Sequence, residues 1–157
     1  ADLIRHWGYP VEEHDVITAD GYILSMLRIP YGRQSTGNSS CHHPPVLFVH
    51  GMILADAGFD VFLLNVRGTT TSQRHLNVTK NDQEFWKFTA DDMAKYDAPA
   101  AIERALQLTG ASSLHWIGHS QSPFELRWIR TRGAAYFRFP MNTFVHPFAT
   151  GVIPIPS

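Results

Sequence analysis

Three runs constrain this chain most: "PVLFVHG" (residues 45–51), "FDVFLLNVRG" (59–68) and "SSLHWIG" (112–118). Each is apolar without alternation and carries a glycine at its end. A strand with one wet face alternates, whereas a strand buried on both faces reads as an unbroken apolar run. Such strands belong to parallel sheets with helices against each side. The first two runs are therefore expected to be parallel neighbours. Between the second and third lies "TADDMAKYDAPAAIERALQLTG" (89–110), the clearest helical pattern. Asp91 and Asp92 suit the positive end of a helix dipole. Asp97 is expected to cap a second segment, because Pro99 is tolerated only in a first turn or at a kink. Ala101, Ala105 and Leu108 space one face, and Gly110 closes it. Upstream, "VEEHDVITADGYILSMLRIP" (11–30) is two alternating runs around Asp20-Gly21, a hairpin signal. The expectation is an α/β chain: a β-hairpin followed by a mostly parallel sheet with flanking helices.

A length of 157 residues suits one domain with a core, and an apolar fraction of 44% argues against disorder. A net charge of −1 gives no general electrostatic case for nucleic acid. The charge is uneven, since Arg127, Arg130, Arg132 and Arg138 face only Glu125 after residue 121. The lone cysteine, Cys41, excludes an intramolecular disulfide. No run approaches the roughly 18 apolar residues of a membrane span. Starting at Ala1 without methionine or leader fits a processed form or a partial sequence. Asn38 and Asn77 head N-x-[ST] triplets and are glycosylation candidates.

"WIGHSQSPF" (116–124) follows the third run. It approximates G-x-S-x-G, in which a strand turns abruptly into a helix with serine at a strained apex and small residues on either side. Gly118 precedes Ser120 as the motif requires, His119 fills the variable position, and Ser122 stands where the last glycine would be. Four blocks then carry a resemblance: "IRHWGYPVEEHDVITADGYILSMLRIPYGR", "ILADAGFDVFLLNVRG", "FWKFTADDMAKYDAPAAIE" and "LHWIGHSQ". Together they resemble, over roughly residues 3–121, the acid lipases of the α/β-hydrolase fold, the gastric and lysosomal type. The resemblance implies the N-terminal part of that fold, incomplete, spanning residues 1–121, with residues 122–157 as a non-family tail. It further implies a secreted or lysosomal serine ester hydrolase acting on triacylglycerols or cholesteryl esters, without a cofactor or metal. The family's nucleophile maps onto Ser120 and one oxyanion donor onto the backbone N–H of Gln121. His50-Gly51 matches the start of its oxyanion loop, whose second donor is Met52 here.

Two departures qualify this. The family separates its "HG" from the "ILADAGFDV" block by about twenty residues, whereas Gly51 and Met52 join them directly. Only Gly51–Phe59, nine residues, is left for a parallel crossover that ordinarily takes roughly ten to twelve. Either the helix shrinks to about one turn or a strand end unravels. Second, a serine needs a histidine to take its proton and a carboxylate to orient that histidine, in the order Ser, Asp or Glu, His. Downstream of Ser120 only Glu125 and His146 preserve that order, and these 157 residues are expected to be inactive on their own.

Other candidates have plainer readings. His119 and its neighbour Ser120 point apart on a tight turn, and His50 reads as a strand-end residue. Cys41–His43 lacks a second ligand pair at metal spacing and reads as a solvated loop. Asp56 and Asp60 read as turn residues around Gly58, and Arg67-Gly68 as a strand exit. The Arg- and Phe-rich tail, with Phe124, Phe137, Phe139, Phe144 and Phe148, offers an anionic membrane surface as a partner. Within it "SPFELRWIRTRG" (122–133) suits a short helix with Ser122 as N-cap and Pro123 at its first position, whereas 134–157 carries no sustained period and is assigned no element, so an unstructured terminus is the plainer reading. The third run is then left with an unpaired apolar edge, which invites aggregation or a partner strand.

Overall fold

The computed structural model describes residues 1–34, 43–48, 53–119, 144–145 and 148–154. A short helix α1 (Asp2–His6) leads into β1 (Glu12–Ile17) and β2 (Tyr22–Ile29). These two pair antiparallel from Glu12↔Arg28 to Ile17↔Ile23, which is the expected hairpin. Its turn closes with the Gly21 N–H donating to the Thr18 carbonyl at 2.9 Å. Gly21 has φ +96°, and its open side faces the His75 ring, 3.0 Å from where a Cβ would stand. β2 then alternates: Tyr22, Leu24 and Met26 are buried, with partly exposed residues between them.

The first two apolar runs become β3 (Pro45–Phe48) and β4 (Asp60–Asn65), paired in parallel from Pro45↔Asp60 to Phe48↔Leu63. β4 also pairs antiparallel with β2, and the two-residue β5 (Arg74–His75) adds to β2. The third run is β6 (Ser113–His119), parallel to β3. The strand order is β1-β2-β4-β3-β6 and continues through β8 (Phe148–Pro154) to β7 (Phe144–Val145).

Both faces of the central strands are covered, which explains the unbroken apolar pattern. On one face Leu24, Met26, Leu47, Phe62, Leu114 and Trp116 pack with Ala98, Ala101, Ile102, Ala105 and Leu106. On the other, Val61 and Ile29 meet Ile4, Tyr9 and Ala55. The helical stretch opens as α3 (Ala90–Asp92), capped reciprocally by Thr89 and Asp92. It widens into a π turn over Met93–Asp97 and continues as α4 (Ala98–Thr109). Pro99 has no N–H and its ring crowds the carbonyl four residues back, a sufficient cause for the widening just before it. Gly110, at φ +66°, closes α4 by donating to the Leu106 carbonyl at 2.8 Å. Asp97 does not cap α4 as expected, because its side chain makes no cap hydrogen bond and is taken by Arg67 instead.

The crossover between β3 and β4 takes the first of the two expected forms. Its helix, α2 (Ile53–Asp56), is a single turn. Asp56 is more than a turn residue. It accepts from the Tyr9 hydroxyl at 2.7 Å, from an Arg33 guanidinium nitrogen at 2.7 Å and from the Arg33 backbone N–H at 3.2 Å. Those bonds tie a turn too short to hold itself to α1's exit and to the segment after β2. Asp60 likewise has a partner: Arg28 holds it through Nε at 3.0 Å and a terminal nitrogen at 2.8 Å.

The tail departs from expectation at its described residues, 144–145 and 148–154. β8 pairs antiparallel with the whole of β6, from Ser113↔Pro154 to His119↔Phe148, and β7 pairs with β8. The edge expected to be unpaired is occupied. Thr150, Val152 and Ile153 are β-branched, and Pro154 sits at the strand's last position, where its missing N–H costs least.

The Arg33 guanidinium, the Tyr9 hydroxyl and the Arg33 N–H hold the Asp56 carboxyl down at about 2. An unfolded aspartate titrates near ~3.9. A depressed folded value means that this stabilisation is complete above the unfolded value and is lost as pH falls through the folded one. Asp56→Asn should therefore lower the urea midpoint at neutral pH, and its gap from the parent should close between about pH 4 and about pH 2. A gap that stays constant over that range would contradict the assignment.

Candidate active site

Because β3 and β6 are adjacent and parallel, with Phe48 level with Ile117, their C-terminal ends share one rim of the sheet. β6 delivers Gly118 and His119 to that rim as its last two residues, paired with Ala149 and Phe148. Ser120, Gln121 and Ser122 lie outside the described residues, as do His50, Gly51 and Met52. So do Asn38, Cys41, His42, Glu125 and His146. What the described chain establishes is the departure points. The elbow motif and the "HG" segment leave neighbouring strands at the same rim.

Beside that rim, just past the end of β4, is a cluster that the sequence reading missed. Arg67 is 2% exposed and Asp97 is 0% exposed. The guanidinium grips Asp20 with two nitrogens, at 2.7 and 2.9 Å, and donates from Nε to Asp97 at 2.8 Å. The Arg67 backbone N–H adds a bond to Asp97 at 2.9 Å. Its planar head lies 4.0 Å from the centre of the Tyr22 ring. Thr18 donates to Asp20 at 2.6 Å. One side chain thus joins the hairpin turn, the exit of β4 and the start of α4. Burial works against charge on Asp20, but Arg67 and Thr18 outweigh it and hold its carboxyl below the ordinary value. At Asp97 burial wins and the carboxyl titrates above the ordinary range. Burial also opposes the Arg67 charge, and the two carboxylates overcome it. A cation directly after a strand buried on both faces was the available signal, since it has nowhere dry to go without partners.

The histidine side chains that the structure describes all lie away from this rim or have other partners. The one in contact with a carboxylate is His14, 3.1 Å from Glu12, on the far edge strand β1. His43 meets the Gly58 carbonyl, and His115 packs edge-on to Phe59. No group of three or more histidine, cysteine or acidic side chains among the described residues could hold a metal ion. A polar cleft of about 630 Å³ is lined by Glu13, His14, Asp15, Ser25, Arg74 and Arg104 among others, and none of its lining residues belongs to β3 or β6. Trp116, wholly buried on β6, has an indole N–H with no hydrogen-bond partner among the described residues. Asn77 is exposed, and its backbone N–H donates to His75 Nδ1 at 3.0 Å.

Comparison with known proteins bears on this geometry. Residues 1–64 match the partial alpha/beta-hydrolase lipase region, and residues 44–121 match the alpha/beta hydrolase fold. Human gastric triacylglycerol lipase is 44% identical over 139 residues, covering 77% of this chain and 35% of that protein. The chain belongs to the acid lipase family of the α/β-hydrolase fold. Human lipase member K is 42% identical over the same share, and mouse lipase member N is 43% identical over 138 residues. The chain spans about a third of the length of these relatives. The covered 77% of 157 residues is about 121, against an alignment of 139. About 18 aligned positions therefore have no counterpart here, a number close to the roughly twenty expected to be missing after Gly51 and Met52.

Removing the Arg67 guanidinium would leave Asp97 buried without its cation. Arg67→Met should cost about 3–5 kcal/mol in urea unfolding, as breaking one side of a buried ion pair does. A loss below ~1 kcal/mol would mean that the cluster is not a structural tie.

Proposed function

We propose that residues 1–121 are the nucleophile-bearing segment of an acid-lipase-type ester hydrolase, with lipid esters such as triacylglycerols or cholesteryl esters as the substrate class. In this reading Ser120 is the nucleophile and the backbone N–H groups of Gln121 and Met52 are the oxyanion donors. The protein is secreted or lysosomal, with Asn77 available for glycosylation. The observation that carries the reading is β6 itself. It is an apolar strand inside a parallel trio whose last residues are Gly118 and His119, in a chain 44% identical to a gastric triacylglycerol lipase.

We further propose that these 157 residues alone do not turn over lipid esters. Hydroxyl attack requires an imidazole within hydrogen-bonding reach and an acid behind it. Where histidine side chains are described, the histidine–carboxylate contact is His14 with Glu12, on the opposite edge of the sheet. Glu125 and His146 are what the sequence offers after the serine. Shortening of the "HG" loop compounds the loss, because only Gly51–Phe59, nine residues, is left for the oxyanion loop and the whole crossover to β4.

The test is a fluorophosphonate ester probe on the purified chain beside its Ser120→Ala variant, with turnover of a soluble fatty-acyl ester measured in parallel. The expected result is neither stoichiometric labelling nor turnover above the variant. Labelling of Ser120 that disappears in the variant would restore the full esterase reading.

A further inference from the structure

The two ends of this sheet are protected in different ways. β1 is guarded by charge: Glu12, Glu13 and Asp15 stand on it and are engaged by Arg28, Arg5 and Arg74. Charged side chains of that kind discourage a foreign strand from adding. β6 has no such guard, since Ser113–His119 reads "SLHWIGH" without an acidic or lysine residue. Left open, it would present a row of unpaired backbone groups beside an apolar surface.

We propose that Phe148–Pro154 is a self-supplied cap on β6, closing this sheet as a monomer and denying the edge to any other strand. Three observations carry the inference. The pairing runs without interruption along all seven residues of β6. Gly151 stands opposite Trp116, the bulkiest fully buried side chain among the described residues, so β8 brings no side chain of its own to the position facing it. Beyond the cap, β7 covers Phe148 and Ala149, and the outer edge that remains, Thr150–Pro154, ends in a proline, a residue that blunts a strand edge. A cap of this kind also needs no crossover helix. Antiparallel entry brings Phe148 to the rim that bears His119 and carries the chain away from it.

Alternate amides of β6 point toward β3 and toward β8, so hydrogen exchange read residue by residue distinguishes a capped strand from an open one. On the full 157-residue chain, both sets within 113–119 should exchange at rates within about tenfold of each other. The rates should not change on dilution, and the protein should elute as a 17.7 kDa monomer. Fast exchange confined to the β8-facing set would overturn the proposal. Rates that rise on dilution together with a dimer would show pairing between copies, and would overturn it equally. In the paired substitution Gly151→Pro with Val152→Pro, one of the two lost N–H groups must face β6. That variant should speed the β8-facing set alone and make the protein self-associate. Unchanged exchange there would also sink the proposal, and should the variant fail to fold, the parent measurement decides.

Discussion

Arg67 is the interaction on which the rest of this structure hangs. A guanidinium removed from water is costly, and it is tolerated here because two carboxylates and an aromatic face surround it. Its partners come from segments distant in sequence, the hairpin turn at Asp20 and the helix junction at Asp97. Without it β4 could still pair with β2 and β3, but the ion pairs that join the exit of β4 to the hairpin turn and to the start of α4 would be lost. The rim where β3 and β6 end lies beside that three-way tie.

Burial and pairing divide the work. The apolar strands supply the driving force, with Phe62, Leu47, Leu114 and Trp116 lost to solvent against a face of alanines on α4. The alanines matter because small side chains let the helix lie close to the sheet. The opposite face is thinner, covered by α1 and by the single turn α2. There the polar bonds of Asp56 do what a longer helix would do by packing.

Much of this was readable from residues alone, for reasons of range. The hairpin around Asp20-Gly21, the three buried strands and the helix ending at Gly110 are set by local pattern and appear where expected. The squeezed crossover was also foreseeable, because nine residues cannot hold more than a turn of helix. What escaped was non-local. Arg67 looked like a strand exit because its partners lie 47 and 30 residues away. Asp97 looked like a cap because its position before Pro99 is right for one. The tail looked patternless because Gly151 and the prolines interrupt any alternation, and only the facing strand makes sense of them. For the site, the motif at Gly118–Ser120 was plain from spacing, whereas the partners of a nucleophile are a matter of three-dimensional assembly that spacing does not encode.

The direction of β8 has a practical corollary. Its polypeptide passes His119 first and Ser113 last, so Pro154 emerges at the opposite pole of the sheet from Gly118 and His119. A fluorophore, affinity handle or fused domain joined downstream of Pro154 would therefore project away from the rim where Gly118 and His119 stand. An attachment near Phe144 or Val145 would crowd it.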